Sequence, residues 1–318
     1  MELPATSDSP ASTQPQFIES PQTQNDRRKR RIRSVLGFVL RIAIYLLITI
    51  VFVAPMFWVL GNSVRSSQSI WGHVYPVSVL TFLPLDQFSI KNYMEALGLT
   101  SVGKGLGLDL SRALFISFAS AITVVCFSLV SNSCAAYFFA RLEFPRKKIL
   151  LAFVLATMMI PQQVVIVPLF LVVNQLGIIN TFWALVVPWF ASPFITFALI
   201  QFFSEVPKEL DEAATLDGAN LFKILVNVVI PNSIPGLLTV SLLEFQFVWN
   251  EFYWPLIAVT AKDLMPVQVA IASQFTERDP EWGRVFAAMV IASAPVIIIF
   301  MSLQRFYYQS AVTSGVKG

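Results

Sequence analysis

From Ile149 to Ser204 the chain carries no charged side chain at all. A helix needs about 20 apolar residues to cross the hydrocarbon core of a bilayer, so this stretch is too long for one crossing. Asn174-Gln175-Leu176-Gly177 divides it into two spans, 149–172 and 181–203. Composition agrees with lipid as the solvent: 56% of residues are hydrophobic and 13% charged, about half the charged share of a soluble domain. Backbone polar groups in lipid must be satisfied within the chain, so a helical protein is expected.

Four further spans follow from the same criterion: 36–60, 113–140, about 236–259 and about 285–303. The reading is all-α, a polytopic membrane protein with six transmembrane helices. Residues 1–35 are expected to be a disordered, basic N-terminal tail, polar at first and then Arg27-Arg28-Lys29-Arg30-Arg31-Ile32-Arg33. A block this basic can bind nucleic acid, but its place before an apolar run favours a positive-inside anchor, and no nucleic-acid partner is expected. With the N-terminus inside, fifteen Lys and Arg fall on the inner side and seven on the outer. Both termini are therefore expected to be cytoplasmic. The order is then span 36–60, an extracytoplasmic loop 61–112, a core 113–304 with five spans and a cytoplasmic loop 205–235, and a cytoplasmic tail 305–318. Prolines 55, 161, 168, 188, 193, 255 and 295 fall inside spans and are candidate kinks.

Much catalysis is excluded. His73 is the one histidine, and Cys126 and Cys134 have neither zinc nor disulfide spacing, so both cysteines are expected as core packing. No phosphate-cradling G-x-x-x-x-G-K-[ST] loop occurs, so this chain is expected to bind no cofactor; any ATP must be held by another chain. A secondary transporter would show an internal repeat and ion-coupling groups in its spans, and no repeat is visible.

The 205–235 loop is the most informative segment. Pro207 suits a first helical turn, and Glu209, Asp211 and Glu212 suit the positive end of that helix. Ala213-Ala214 allow close approach, and Gly218 can take the left-handed conformation that ends a helix. A second short helix is expected from Asn220 to Pro231, with Leu221, Phe222, Leu225 and Val229 at helical spacing. Two such helices need a partner surface or the membrane interface.

Here the sequence resembles the ABC importer permeases. Glu212-Ala213-Ala214, Gly218 and Val228-Val229-Ile230-Pro231 stand where that family carries Glu-Ala-Ala-x3-Gly and an Ile-x-Leu-Pro-like end, with departures at 228 and 230. Ala136-Tyr137-Phe138-Phe139-Ala140-Arg141-Leu142-Glu143-Phe144 is similar to the family's Ala-Tyr-x-x-Ala-Arg-x-x-Phe. Met159-Ile160-Pro161 with Pro168-Leu169-Phe170, Trp249-Asn250-Glu251 and Gly315-Val316-Lys317-Gly318 resemble the maltose-type (MalG-like) carbohydrate branch.

The resemblance implies the type I ABC importer permease fold. It implies a second, different permease subunit, two cytoplasmic ATPase subunits holding ATP and Mg, and an extracytoplasmic solute-binding protein. It implies contact with the ATPase through Glu212, Ala213, Ala214, Asp217, Gly218, Ala219, Leu221 and Phe222. It favours a sugar or sugar-like solute, with glycerol 3-phosphate as the alternative, and no covalent reaction by this chain.

Ionisable and polar groups at membrane depth are expensive and by default line a path or cavity. Span 5 carries Glu244, Gln246, Trp249, Asn250, Glu251 and Trp254, and span 3 carries Gln162 and Gln163 after Pro161. Glu244 and Glu251, seven apart, are expected on one helix face. These are the candidate solute-path residues, with Asn132 of span 2 as a further one; the competing reading is that Trp249-Asn250-Glu251 bends the helix or bonds the partner subunit, and that Gln162 and Gln163 bond freed carbonyls.

Residues 1–33 lie outside the matched motifs. Their deletion should leave solute uptake unchanged in cells where the shortened chain still inserts, and an ATPase lost from the purified complex would contradict this.

Overall fold

The computed structural model describes the backbone of residues 21–72, 79–81, 87–101, 103, 109–275 and 280–315, with side chains from 35 to 302 of these, Val79 excepted. His73, residues 1–20 of the N-terminal tail and 316–318 of the C-terminal tail lie outside the described residues. By contacts the chain divides into two units, 1–57 and 58–318. Helix α1 (Pro21–Asn62) accounts for the described part of the first. It begins well before the expected span, so residues 21–35 are helical rather than disordered: Arg, Lys and Gln are good helix formers, and the apolar run behind them propagates the helix.

In the second unit, the 61–112 segment forms short helices α2 (Ser67–Gly72) and α3 (Lys91–Ala96). The long helix α4 (Leu110–Arg141) is span 2. Span 3 is α5 (Lys147–Thr157) and α6 (Gln162–Gln175), bent by 96°. Span 4 is α7 (Phe182–Val186), extended as a 3-10 turn to Trp189, and α8 (Pro193–Glu205), bent by 46°. The loop follows as α9 (Lys208–Leu216), α10 (Leu221–Ile224), a π-turn (Leu225–Val229) and α11 (Ile230–Asn232). An 84° bend leads into α12 (Ile234–Asn250), after which come α13 (Tyr253–Ala258), α14 (Val267–Gln274) and α15 (Trp282–Gly315). Among the described residues three helices are long and apolar enough to cross a membrane unbroken, and the spans number up to six if each bent pair crosses once. The 305–315 part of the expected C-terminal tail continues α15.

Of the span prolines, Pro188 lies in the 3-10 turn Val187–Trp189, and the other six sort into two kinds. Pro55, Pro168 and Pro295 stay inside continuous helices. Pro161, Pro193 and Pro255 mark breaks, because proline has no N–H to donate and its ring crowds the carbonyl four residues back. For Pro255 that carbonyl belongs to Glu251. The fifth span's helix accordingly stops at Asn250, Glu251 is extended, and α13 restarts at Tyr253. The expected single helix to 259 is corrected by this proline.

α4 runs through the centre, packed along α8 and α12. Two apolar clusters fill the space around it. One joins α4 to Trp249, Trp254 and α15; the other joins its far end, Ala136, Tyr137 and Phe139, to Leu199, Phe203, Ile224, Leu225 and Val229. Cys126 and Cys134 are not in either: both are exposed on the opposite face of α4, with Phe115, Ile122, Val130 and Phe138.

Polar groups inside the unit close the break in span 4. Asn132 Oδ1 accepts from Ser192 N at 2.9 Å and from Thr196 Oγ1 at 2.7 Å, while its Nδ2 donates to the carbonyl (2.7 Å) and hydroxyl (2.8 Å) of Ser128. Ser131 Oγ donates to the Phe190 carbonyl. A bent span thus has its freed backbone groups satisfied from the neighbouring helix, as lipid demands. Asn132 is consumed by this role, and the expectation that it meets solute is withdrawn.

α8 and α12 pack closely where Gly236 faces Phe202: a Cβ on Gly236 would overlap the Phe202 ring. Gly236→Leu should therefore push the two helices apart, costing about 1–3 kcal/mol by overpacking. A lowered melting temperature of the purified complex checks this, with Gly37→Leu, where nothing lies within 4 Å, as the neutral control.

Candidate functional site

The 205–235 loop is built around a helix reversal. In α9, Glu209 and Asp211 stand in the first turn, with Pro207 one residue ahead at the cap position. At the other end Gly218 has φ +79°, a region that side-chain-bearing residues enter at a cost. Its N–H donates to the Thr215 carbonyl at 3.0 Å, Ala219 N–H to Ala214 at 3.0 Å and Asp217 N–H to Ala213 at 3.1 Å. This paired pattern satisfies the last carbonyls of the helix and reverses the chain. Asn220 then caps α10, its Oδ1 accepting from Lys223 N at 2.9 Å. Pro231 does not end the second helix as expected: a π-turn precedes it, and the chain stays helical to Asn232.

The candidate loop residues divide by face. Ala214 and Ala219 turn inward against the cluster that holds Ile224, Leu225 and Phe203. Glu212, Ala213, Asp217 and Gly218 face outward. So do the apolar Leu216, Leu221 and Phe222, exposed by 90%, 54% and 68%. Large exposed apolar side chains on a polar loop mark an interaction surface.

Arg141, from the motif at the end of α4, ties this loop to the spans. Its Nε lies 3.3 Å from Asp211 Oδ2, with the two side chains 4% and 18% exposed. Its Nη2 donates to the Val206 carbonyl at 2.7 Å. Sequence reading quoted Arg141 as motif and Asp211 as a dipole partner. Their pairing joins residues seventy apart, and no local signal carries it.

The span candidates do not form one constellation. Glu244 is buried, where its carboxylate accepts from the Ser128 hydroxyl. Trp249 and Trp254 are core side chains, their indole N–H groups donating to the carbonyls of Ala292 (3.2 Å) and Ala184 (2.8 Å). Glu251 lies past the end of α12, so it does not share a face with Glu244 as expected.

Gln162 and Glu251, by contrast, are brought together. Gln162 Nε2 donates to Glu251 Oε2 at 3.1 Å, and Glu251 Oε1 accepts from Trp254 N at 3.0 Å, capping α13. One carboxylate therefore joins the break in span 3 to the break in span 5. Beside it lies a groove of about 360 Å³ lined by Leu243, Gln246, Phe247, Asn250 and Glu251. Asn250 and Gln246 are exposed there, with Asn250 Nδ2 donating to the Gln246 carbonyl at 2.9 Å. Phe247 meets Trp189 edge-on with centroids 5.2 Å apart. Gln163 is exposed but does not line this groove. Leu243 and Phe247 were missed by sequence reading, although their three-to-four spacing with Gln246 and Asn250 was there to be read.

The chain is similar to known proteins. Residues 133–312 match the family described as binding-protein-dependent transport system inner membrane component. The chain is 31% identical over 289 residues to the trehalose/maltose transport system permease protein MalG of Thermococcus litoralis, covering 89% of this chain and 98% of that one. It is 27% identical over 286 residues to the sn-glycerol-3-phosphate transport system permease protein UgpE of Rhizobium meliloti, with the same coverage. A crystal structure of a bacterial ABC transporter involved in the import of the acidic polysaccharide alginate superposes with a TM-score of 0.72, over 88% of this chain and 98% of that one, at 21% identity. Bent apolar spans around an outward-facing helical loop, matched by this family over more than half the chain, make it a member of the binding-protein-dependent inner membrane components: a permease subunit of an ABC importer.

Proposed function

We propose that this permease subunit forms half of the translocation pathway for a sugar or sugar-like solute, paired with a second, different permease subunit. Two cytoplasmic ATPases holding ATP and Mg drive the pair, and an extracytoplasmic binding protein delivers the solute. Both termini and the 205–235 loop face the cytoplasm, as the distribution of Lys and Arg favours. The loop is the coupling element, and what supports it is one arrangement: exposed Leu216, Leu221 and Phe222 beside a helix base fixed by Arg141. A partner seated on those side chains moves α9 and α10, and the ion pair passes that movement to α4. The cavity between the two permeases then alternates between inward-facing and outward-facing.

On this reading the solute path includes Gln162, Gln246, Asn250 and Glu251, whose amides and carboxylate suit hydroxyl groups, with Gln163 nearby on the same helix as Gln162. Glu244, Trp249 and Trp254 hold the helices that present them. The MalG relative supports a carbohydrate; the UgpE relative keeps glycerol 3-phosphate as the second reading.

Gly218 tests the coupling loop cleanly, because a Cβ there meets nothing within 4 Å and only the backbone objects. The left-handed conformation costs a residue with a side chain roughly 1–2 kcal/mol, and more when β-branched. Gly218→Val should leave the chain in the membrane, yet copurify less ATPase or leave its activity uncoupled from uptake. Gly218→Ala should show a milder form of the same defect. Glu212→Lys reverses a charge on the same outward face without touching the backbone and should also weaken the coupling. Normal ATPase copurification and wild-type uptake in both Gly218→Val and Glu212→Lys would remove the loop from the coupling path.

A further inference from the structure

The five spans from 113 onward carry two charges at membrane depth, Glu244 and Glu251, and both are acidic. Glu244 is sealed behind α4. Glu251 is half-buried and lines the groove. Its two oxygens meet neutral donors, the Gln162 amide and the Trp254 backbone N–H, and no Lys or Arg pairs with it among the described residues. The rest of the lining is amide and apolar: Gln246, Asn250, Leu243 and Phe247. A carboxylate left without a counter-ion in a medium of intermediate dielectric projects its field into the space it faces. Amides offer both donors and acceptors to hydroxyls, and the Phe247 ring offers an apolar surface to the carbon face of a sugar. Nothing in the groove offers an anion the cation it needs.

We infer that Glu251 makes this half of the solute path selective against anions, so that the solute is a neutral polyhydroxylated molecule, an oligosaccharide or a polyol glycoside, and not a sugar phosphate or a uronate. The inference rests on the groove being part of the solute path. Relatives named for a neutral and for an anionic solute stand at 31% and 27% identity, so similarity alone does not decide between the two. The charge in the groove does.

The test reads that charge directly in the assembled transporter. The exposed Cys126 and Cys134 are replaced by Ala, and a single cysteine is placed by Asn250→Cys or, in a second protein, Gln246→Cys. Three methanethiosulfonate reagents are compared: a neutral hydroxyethyl, an anionic sulfonatoethyl and a cationic trimethylammonium form. Each rate is divided by that reagent's rate with a free thiol. The anionic reagent should react about tenfold more slowly than the cationic one at both positions, and Glu251→Gln should abolish most of that difference. Should Glu251→Gln fail to copurify with ATPase, Gln246→Lys with Asn250→Cys replaces it, and the preference should then shift toward the anionic reagent. Equal rates for the two charged reagents, or a difference that survives removal of the carboxylate, would overturn the selectivity. Failure of all three reagents at both positions, with and without ATP and vanadate, would overturn the path assignment itself, and the two failures are told apart by whether the neutral reagent reacts.

Discussion

The contact between Arg141 and Asp211 is where the loop and the spans become one mechanical object. A guanidinium that is 4% exposed would be costly at the foot of a membrane helix if left alone. Here it is shared between a carboxylate on α9 and the Val206 carbonyl, just before that helix begins. The first helix of the loop is thereby fixed at its base, while the inward alanines 214 and 219 fix its far end against the apolar cluster. What remains outward is a rigid presentation of Leu216, Leu221 and Phe222. Without the ion pair the same side chains would hang on a loop free to pivot.

The spans around it are divided by function as well as by proline. α4 is unbroken and supplies the polar groups that its neighbours need: Ser131 and Asn132 for the bend in span 4, Ser128 for Glu244 of span 5. Glu251 does the corresponding work where spans 3 and 5 break side by side. Bending exposes backbone groups, and at the bend in span 4 the Phe190 carbonyl and the Ser192 N–H are met by side chains of α4. The breaks are therefore places where helices are fastened to one another, with the groove opening beside the second of them.

Much of this was legible in the sequence, for local reasons. The span positions follow from hydropathy, and Gly218 was readable because a helix stop followed by a second apolar repeat calls for a residue tolerant of positive φ. Pro255 was in plain view too, yet an averaged hydropathy window ran the fifth span through it to 259, and that error put Glu244 and Glu251 on one face. The remaining misses are tertiary. Nothing near Trp249 or Trp254 in the chain says that their indoles donate to carbonyls of Ala292 and Ala184, so aromatic residues beside a carboxylate read as a solute site. The exposure of Cys126 and Cys134 depends on which face of α4 the core occupies, and apolarity all around a membrane helix hides that. The helical state of residues 21–35 was missed because low hydrophobicity was read as disorder, although those residues are good helix formers joined to a long helix.

The length of α4 has a consequence of its own. At 1.5 Å per residue its 32 residues rise about 48 Å, while the hydrocarbon core is about 30 Å thick and the whole bilayer about 40–45 Å. Arg112 and Arg141, near its two ends, therefore stand about 44 Å apart along the axis, a separation that matches the distance between the two headgroup levels. Each is paired with a carboxylate from elsewhere in the chain, Asp263 at one end and Asp211 at the other. The helix is a ruler laid across the membrane with an ionic fastening at each mark. A thinner bilayer must tilt it, since it cannot shorten, and tilt displaces both fastenings together. Lipid thickness thus reaches the base of the loop through a single rigid element.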